Sequence, residues 1–415
     1  MLLNWVWLST RRGIGPRGVQ KALRYFETPE EIYRAGEDEY RLAGLGEAER
    51  RALADKDLEA AQAVMNQCAR LEVHILTYQD AAYPARLRSI ADPPTVLYYA
   101  GVLPDLDGEP LVAVVGSRRS SPYGMSCAKR LGYQIGRCGG IVVSGLALGG
   151  DAMAMLGAVS AGRPVVGVLG CGVDVVYPRS NRHLYDDVRR RGCLLSEYPP
   201  GTPPVAGHFP ARNRIISGLS LGIVVVEAPR KSGTLITADL ALEQGRDVFA
   251  VPGNAGLACC AGSNQLLREG AILVETGWDV MREYADLYPD RIQEYRAGEG
   301  LTASMGELRD HRGESSVEKV AQTVRRPRLA EKESDKKSVD NPENTGYIDV
   351  QAALRGASED ERQVLLALQQ GERHVDALAA QCGLGAGRVL AALTILEIKQ
   401  QVQRLPGNRY ALARA

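Results

Sequence analysis

Between Glu109 and about Tyr284 the sequence alternates short, almost uninterrupted apolar runs with helical stretches of about ten to fifteen residues, and this rhythm constrains the fold most. The runs are Leu111 to Val115, Ile141 to Val143, Val165 to Leu169, Cys193 to Leu195, Ile223 to Val226, Val248 to Val251 and Ile272 to Val274. They do not alternate apolar with polar residues, so both faces of each strand must be covered, which is the requirement of a parallel sheet. Strands joined through helices imply right-handed crossovers, hence a doubly wound α/β domain. Ligands of such sheets bind beyond the carboxyl ends of the strands, so function is to be sought in the loops that follow these runs.

The flanks differ in composition. Residues 1–75 read as a helical domain with two turns, Gly13-Ile14-Gly15 and Gly44-Leu45-Gly46, each leading into a helical pattern and resembling helix-hairpin-helix units. Two roles are open for these glycines: backbone amides offered to a phosphate, or simple left-handed caps. Residues 76–104, broken by Tyr83-Pro84 and Asp92-Pro93-Pro94, are expected as a connector that ends in the extended Thr95 to Tyr99. Residues 105–285 form the α/β domain. Residues 286–355 are expected as a charged disordered linker, because half of Arg309 to Asp340 is charged and none of it is aromatic. In 356–415, helices at Ser358 to Gln370, Val375 to Cys382 and Gly387 to Lys399, then a hairpin turning at Pro406-Gly407-Asn408, spell a winged helix. Its third helix has only Arg388 and Lys399 as basic residues, so protein contact or stability is expected ahead of duplex binding.

Several strand-end loops carry phosphate-type chemistry. The first apolar run ends in Gly116-Ser117-Arg118-Arg119, and the second in Ser144-Gly145, with Gly149-Gly150-Asp151 opening the next helix. A Pro-rich segment then leads to His208-Phe209 and Arg212-Asn213-Arg214, where guanidinium forks suit phosphate and an aromatic ring can stack on a base. Lys231-Ser232-Gly233-Thr234 stands at a helix start, an anion seat through exposed N–H groups, and Asn264 follows on the same edge. Phe209 is equally open to a core role, and Ser232 or Thr234 to N-capping.

Globally the chain is neutral, with 50 basic and 50 acidic side chains, so a polyanion site must be a local patch. Eight cysteines include no CxxC pair, only the adjacent Cys259-Cys260, and are read as reduced cytoplasmic thiols with no metal site. No signal peptide and no membrane span is expected, since Asp151, Arg163 and Asp174 interrupt the most apolar stretch. Walker A and HExxH patterns are absent, and Asp151, Asp174, Glu197 and Glu227 near strand ends serve equally as caps or arginine partners, so no catalytic acid is assigned.

The motifs VAVVGSRRSSPYG, VVSGLALGGDAMA, GVLGCGVDVVYPRSN, LLSEYPPGTPP, HFPARNRIISGLSLGIVVVEAPRKSGTLITADLALEQGRDVFAVPG and SNQLLREGA run collinearly through about 105–285 and resemble the DNA-processing protein DprA (Smf) family. The resemblance implies an extended Rossmann-like fold that binds single-stranded DNA without catalysis or cofactor, dimerises, receives DNA in natural transformation and helps load the RecA recombinase. It places the DNA site at Gly116, Ser117, Arg118, Ser144, Gly145, Arg212, Asn213, Arg214, Ser232, Gly233, Thr234 and Asn264. Where the family has SGLARGID followed by AAH, Leu148, Gly150 and Met155 replace Arg, Ile and His, and Arg119 or Lys231 is expected to compensate for the missing basic residue. The rival expectation is a nucleotide phosphoribohydrolase acting on free nucleoside monophosphates, whose PGGxGTxxE loop corresponds to Arg230 to Thr237 here but without its glutamate.

Overall fold

The computed structural model describes residues 1–295, 354, 357–369, 371–399, 401–405 and 409–413. The chain divides into two compact units, Met1–Gly313 and Glu314–Ala415.

In the first unit nine strands form one sheet: β1 (His74–Thr77), β2 (Val96–Gly101), β3 (Leu111–Val115), β4 (Ile141–Ser144), β5 (Val165–Leu169), β6 (Cys193–Ser196), β7 (Gly222–Val225), β8 (Asp247–Ala250) and β9 (Ile272–Leu273). Their order is β1-β2-β6-β5-β4-β3-β7-β8-β9. From β6 to β9 every pairing is parallel. β3 to β6 extend the sheet in one direction, and the chain then returns to lay β7 on the other side of β3, so the topological switch falls between β3 and β7. A crevice opens at such a switch because the two crossovers leave it on opposite faces.

All five residues of β3 are buried, and they feed two different cores. Val112 and Val114 join Leu131, Ile135, Met155 and Val188 on one face, while Leu111, Ala113 and Val115 join Ile215, Leu219 and Ala238 on the other. This two-sided burial is the reason the apolar runs show no alternation.

The expected connector is corrected. Residues 74–101 supply β1 and β2, an antiparallel hairpin that joins the sheet through β2–β6 pairing. The proline-rich interval between the two strands is their connection, and Tyr83 and Leu87 within it are buried.

The N-terminal helices Leu2–Thr10, Pro16–Phe26, Pro29–Arg34, Glu37–Leu42, Glu47–Ala54 and Glu59–Leu71 enclose a core of Trp7, Val19, Ile32, Tyr40 and Leu53. Trp5 faces the other way, into the core of the sheet. Of the two glycine turns, Gly13 and Gly44 have φ of 106° and 70°, the left-handed region that glycine enters without a Cβ penalty. The Gly46 amide donates to the Glu49 carboxylate at 2.7 Å, which fills the place a phosphate would take at the second turn. The capping role is therefore the one realised there.

The second unit contains helices Glu359–Leu368, Val375–Cys382 and Ala386–Ile398, and a sheet of β10 (Arg373–His374), β12 (Arg409–Leu412) and β11 (Val402–Leu405) in that order. Both basic residues expected at the third helix are tied down: Arg388 to Asp360 at 2.6 Å and Lys399 to Glu361 at 2.8 Å. The linker expected over 286–355 lies largely outside the described residues.

Candidate functional site

A cleft of about 930 Å³ opens above the β3/β7 switch. Gly116, Ser117, Arg118, Arg119, Arg212, Asn213, Lys231, Ser232, Gly233 and Thr234 line it together, although they come from loops far apart in the chain. Ala147, Tyr177 and Cys259 add the loops after β4, β5 and β8.

The loops are locked to one another before any ligand enters. Ser117 N–H donates to the Glu227 carbonyl at 2.9 Å, and Gly150 N–H to the Ser117 carbonyl at 3.1 Å. Asn213 Nδ2 reaches the Gly233 carbonyl at 3.4 Å, joining the Arg-Asn-Arg helix to the start of helix Gly233–Glu243. A Cβ at Gly150 would stand 2.7 Å from the Gly116 Cα, so the two loops touch through backbone alone. The glycine at 150, a departure from the expected isoleucine, thus matches a contact that admits no side chain. Met155, where a histidine was expected, is wholly buried in the core, and Leu148 is exposed.

The four carboxylates near strand ends are all engaged by the fold. Asp151 accepts the Gly116 amide at 3.1 Å. Glu227 accepts the Ser121 amide at 2.7 Å and its hydroxyl at 2.8 Å, at the start of helix Pro122–Arg137. Asp174 accepts the Gly201 amide at 2.8 Å, and Glu197 takes Arg214 Nη2 at 2.7 Å.

These bonds revise the amide-lined rim expected from the sequence. The Gly116 and Ser117 amides are occupied internally, so they are not open to a phosphate. At the start of helix Gly233–Glu243, Ser232 caps the Leu235 amide, while the Gly233 and Thr234 amides have no acceptor among the described residues. That helix end and the cationic side chains are what the cleft offers to an anion.

Arg118, Arg119 and Lys231 are exposed and make no ion pair among the described residues. The Arg118 guanidinium lies 5.4 Å from the centre of the Phe209 ring, and Phe209 packs at 5.4 Å against Tyr177, which is 41% exposed. Phe209 is therefore a wall residue and not a core one. His208 is stacked on Tyr198 at 3.9 Å with Nδ1 3.2 Å from the Gly170 carbonyl. Tyr177 is missed by the sequence reading; its signal was an aromatic residue before a proline in the loop that follows β5.

Arg212 forms the floor. Its Nη1 donates to the carbonyls of Gly145, at 3.0 Å, and Val168. Burial lowers its pKa, against the pull of Asp151. Burial likewise raises the Asp151 carboxyl against Arg212 and the neighbouring amides. Gly145 sits between the two: a Cβ there would be 2.5 Å from Arg212 Nη2 and 2.7 Å from Asp151 Oδ2.

Four expected residues are not brought to the cleft surface. Ser144 is wholly buried with its hydroxyl on the Val114 carbonyl at 2.7 Å, and Gly145 lies beneath the floor. Arg214 points away, with Nε on the Asp92 carbonyl at 2.9 Å and Nη2 on Glu197. Burial opposes its charge, but Glu197 outweighs that and holds its pKa up. Asn264 spends both side-chain atoms on the Gly253 backbone, each at 3.0 Å.

Among the described residues no helix is long and apolar enough to cross a membrane. Residues 74–285 match the family model for DNA recombination-mediator protein A, and residues 350–408 match that of the DprA winged helix domain. Protein Smf of Synechocystis sp. is 32% identical, over 98% of this chain and 97% of that one. DNA processing protein DprA of Streptococcus pneumoniae is 45% identical over 49% of this chain and 72% of that one. The X-ray structure of DprA from Streptococcus pneumoniae superposes with a TM-score of 0.60 at 35% identity, covering 68% of this chain and 97% of that chain. With one family model spanning half of its length and a relative aligned along nearly all of it, the chain belongs to the DprA (Smf) family.

Proposed function

We propose that the cleft binds single-stranded DNA through its phosphates, without catalysis. One observation carries this: Arg118, Arg119 and Lys231, three cations without carboxylate partners among the described residues, converge on one cleft beside a helix start whose Gly233 and Thr234 amides have no acceptor among the described residues. In a chain of zero net charge, such a local concentration suits a polyanion. The exposed ring of Tyr177 and the half-buried ring of Phe209 offer a stacking surface. Every base has a π-face, so such a surface favours an unpaired strand over a duplex and reads little sequence.

A role in DNA processing during transformation, delivery of the strand to the RecA recombinase, homodimerisation and a cytoplasmic setting extend this proposal. A family model described as DNA recombination-mediator protein A and a relative named DNA processing protein DprA support the first of these; the others are what the resemblance of the sequence motifs implies. Against the phosphoribohydrolase alternative, Thr237 stands where a glutamate would act, and its hydroxyl is turned to the Gly233 carbonyl at 3.3 Å. Asp151, the carboxylate lining the cleft, is engaged by the Gly116 amide.

The test is fluorescence anisotropy of a labelled oligonucleotide, single-stranded and duplex, across a salt series. Tighter binding of the single strand, with affinity falling steeply as salt rises, is expected. Equal affinity for both forms, or base released from nucleoside monophosphates, overturns the proposal.

A further inference from the structure

Beside the cations of the cleft lies a group of different chemistry. Cys259 lines the cleft wall; Cys260 and Glu227 are buried behind it. Three potential ligand atoms, one from each residue, all lie within 4.8 Å of one another. The two Sγ atoms are 3.8 Å apart, and Cys260 Sγ is 3.7 Å from Glu227 Oε1.

The Sγ–Sγ and Cys260 Sγ–Glu227 Oε1 separations match two edges of a coordination tetrahedron, and the third pair lies within 4.8 Å. With metal–sulfur bonds of about 2.3 Å and metal–oxygen bonds of about 2.0–2.2 Å, tetrahedral angles place two sulfurs about 3.8 Å apart and a sulfur and an oxygen about 3.5 Å apart. The donors are also held in place. Glu227 is oriented by two bonds from Ser121, the kind of outer support that metal-binding carboxylates receive. Cys260 is packed against Gly253, whose backbone Asn264 fixes from both sides.

We propose that Cys259, Cys260 and Glu227 form a binding site for a thiophilic divalent cation of the Zn²⁺ class. Two thiolates and one carboxylate select a borderline-soft ion over Mg²⁺ or Ca²⁺, which take oxygen ligands. Three protein ligands leave a fourth position, in a group whose Cys259 lines the cleft. Binding exchanges the two thiol protons for the ion, so protons are released and no electron is transferred.

The test uses the full-length protein, kept reduced with a phosphine, and Co²⁺ as a spectroscopic probe, followed by Zn²⁺ in competition with a chromophoric chelator. One equivalent of Co²⁺ is expected to give a sulfur-to-metal charge-transfer band and the visible bands of a tetrahedral ion, both removed by one equivalent of Zn²⁺. Cys259→Ser and Cys260→Ser are each expected to weaken Zn²⁺ binding by more than about tenfold. Cys382→Ser, in the other unit, is expected to leave it unchanged. Cys259 is only half-buried, so its serine variant tests the site even if Cys260→Ser fails to fold. Absence of the charge-transfer band in the reduced wild-type protein overturns the proposal, as does Zn²⁺ affinity unaltered in Cys259→Ser.

Discussion

Arg212 and Arg214, two positions apart on one helix, send their guanidiniums to opposite sides of it: Arg212 to the Gly145 carbonyl at 3.0 Å beneath the cleft, Arg214 to Glu197 at 2.7 Å on the far side. A step of two residues rotates a side chain by about 200° around a helix, so one of a spaced arginine pair must leave any shared surface. The cleft is thus divided between side chains that face its opening and side chains that hold its loops.

Replacing Arg118, Arg119 or Lys231 with alanine is expected to weaken single-strand binding and to flatten the dependence of log affinity on log salt by about 0.7 for each phosphate left without its cation. Thermal stability should stay within about 0.5–1 kcal/mol of wild type, because these side chains are exposed and make no ion pair among the described residues, Arg118 having only its contact with the Phe209 ring to lose. Anisotropy across a salt series, paired with melting curves, checks both. A variant set with unchanged slopes would place the DNA elsewhere.

Arg214→Ala and Asn264→Ala should behave in the opposite way. The first leaves Glu197 without its cation in a largely buried setting and is expected to cost about 2–4 kcal/mol of stability. The second removes both bonds to Gly253 and is expected to cost about 1–2 kcal/mol. In neither should the salt slope change at temperatures where the variant is folded.

Gly145→Ala tests the floor. Its Cβ would collide with Arg212 and Asp151, whose positions are pinned by the Val168 carbonyl and the Gly116 amide, so neither can yield freely. A loss of about 2–4 kcal/mol in denaturant unfolding is expected. A variant as stable as wild type would show that the pair repacks.

Phe209→Ala and Tyr177→Ala are expected to reduce single-strand affinity by about 1–3 kcal/mol if each ring stacks on a base. An oligonucleotide carrying an abasic site at the matching position should bind the wild-type protein more weakly by a similar amount and the variant no more weakly than the intact strand does. Full additivity of the two effects would exclude stacking.

In the C-terminal unit the Lys399 ammonium, bonded to Glu361 at 2.8 Å, draws the carboxyl pKa below its ordinary value of 4.5. A carboxyl whose folded pKa is depressed contributes stability above its unfolded pKa, and that contribution is lost as pH falls through the folded value. Hydrogen exchange in helix Glu359–Leu368 of the full-length protein should thus be slower in wild type than in Lys399→Gln at pH 6–7. The difference should shrink as pH falls below about 4.5. A gap that persists under acid conditions would contradict the pairing.

The strand runs, the helices between them and the winged helix were legible because each is written in local periodicity and burial pattern, which survive without knowledge of the fold. The strand-end loops were legible for the same reason: parallel strands bring successive loops to one edge whatever their sequence. β1 was not, since His74–Thr77 is short and half-polar and becomes a strand only by pairing with β2. Nor could the sequence sort Arg212, Arg214, Ser144 and Asn264 from Arg118 and Lys231. All carry donors suited to phosphate, and which donors are spent depends on partners such as Glu197, Val114 and Gly253 that meet them only in the folded chain. Residue type determined what chemistry the rim had available; tertiary structure decided which groups remained free to use it.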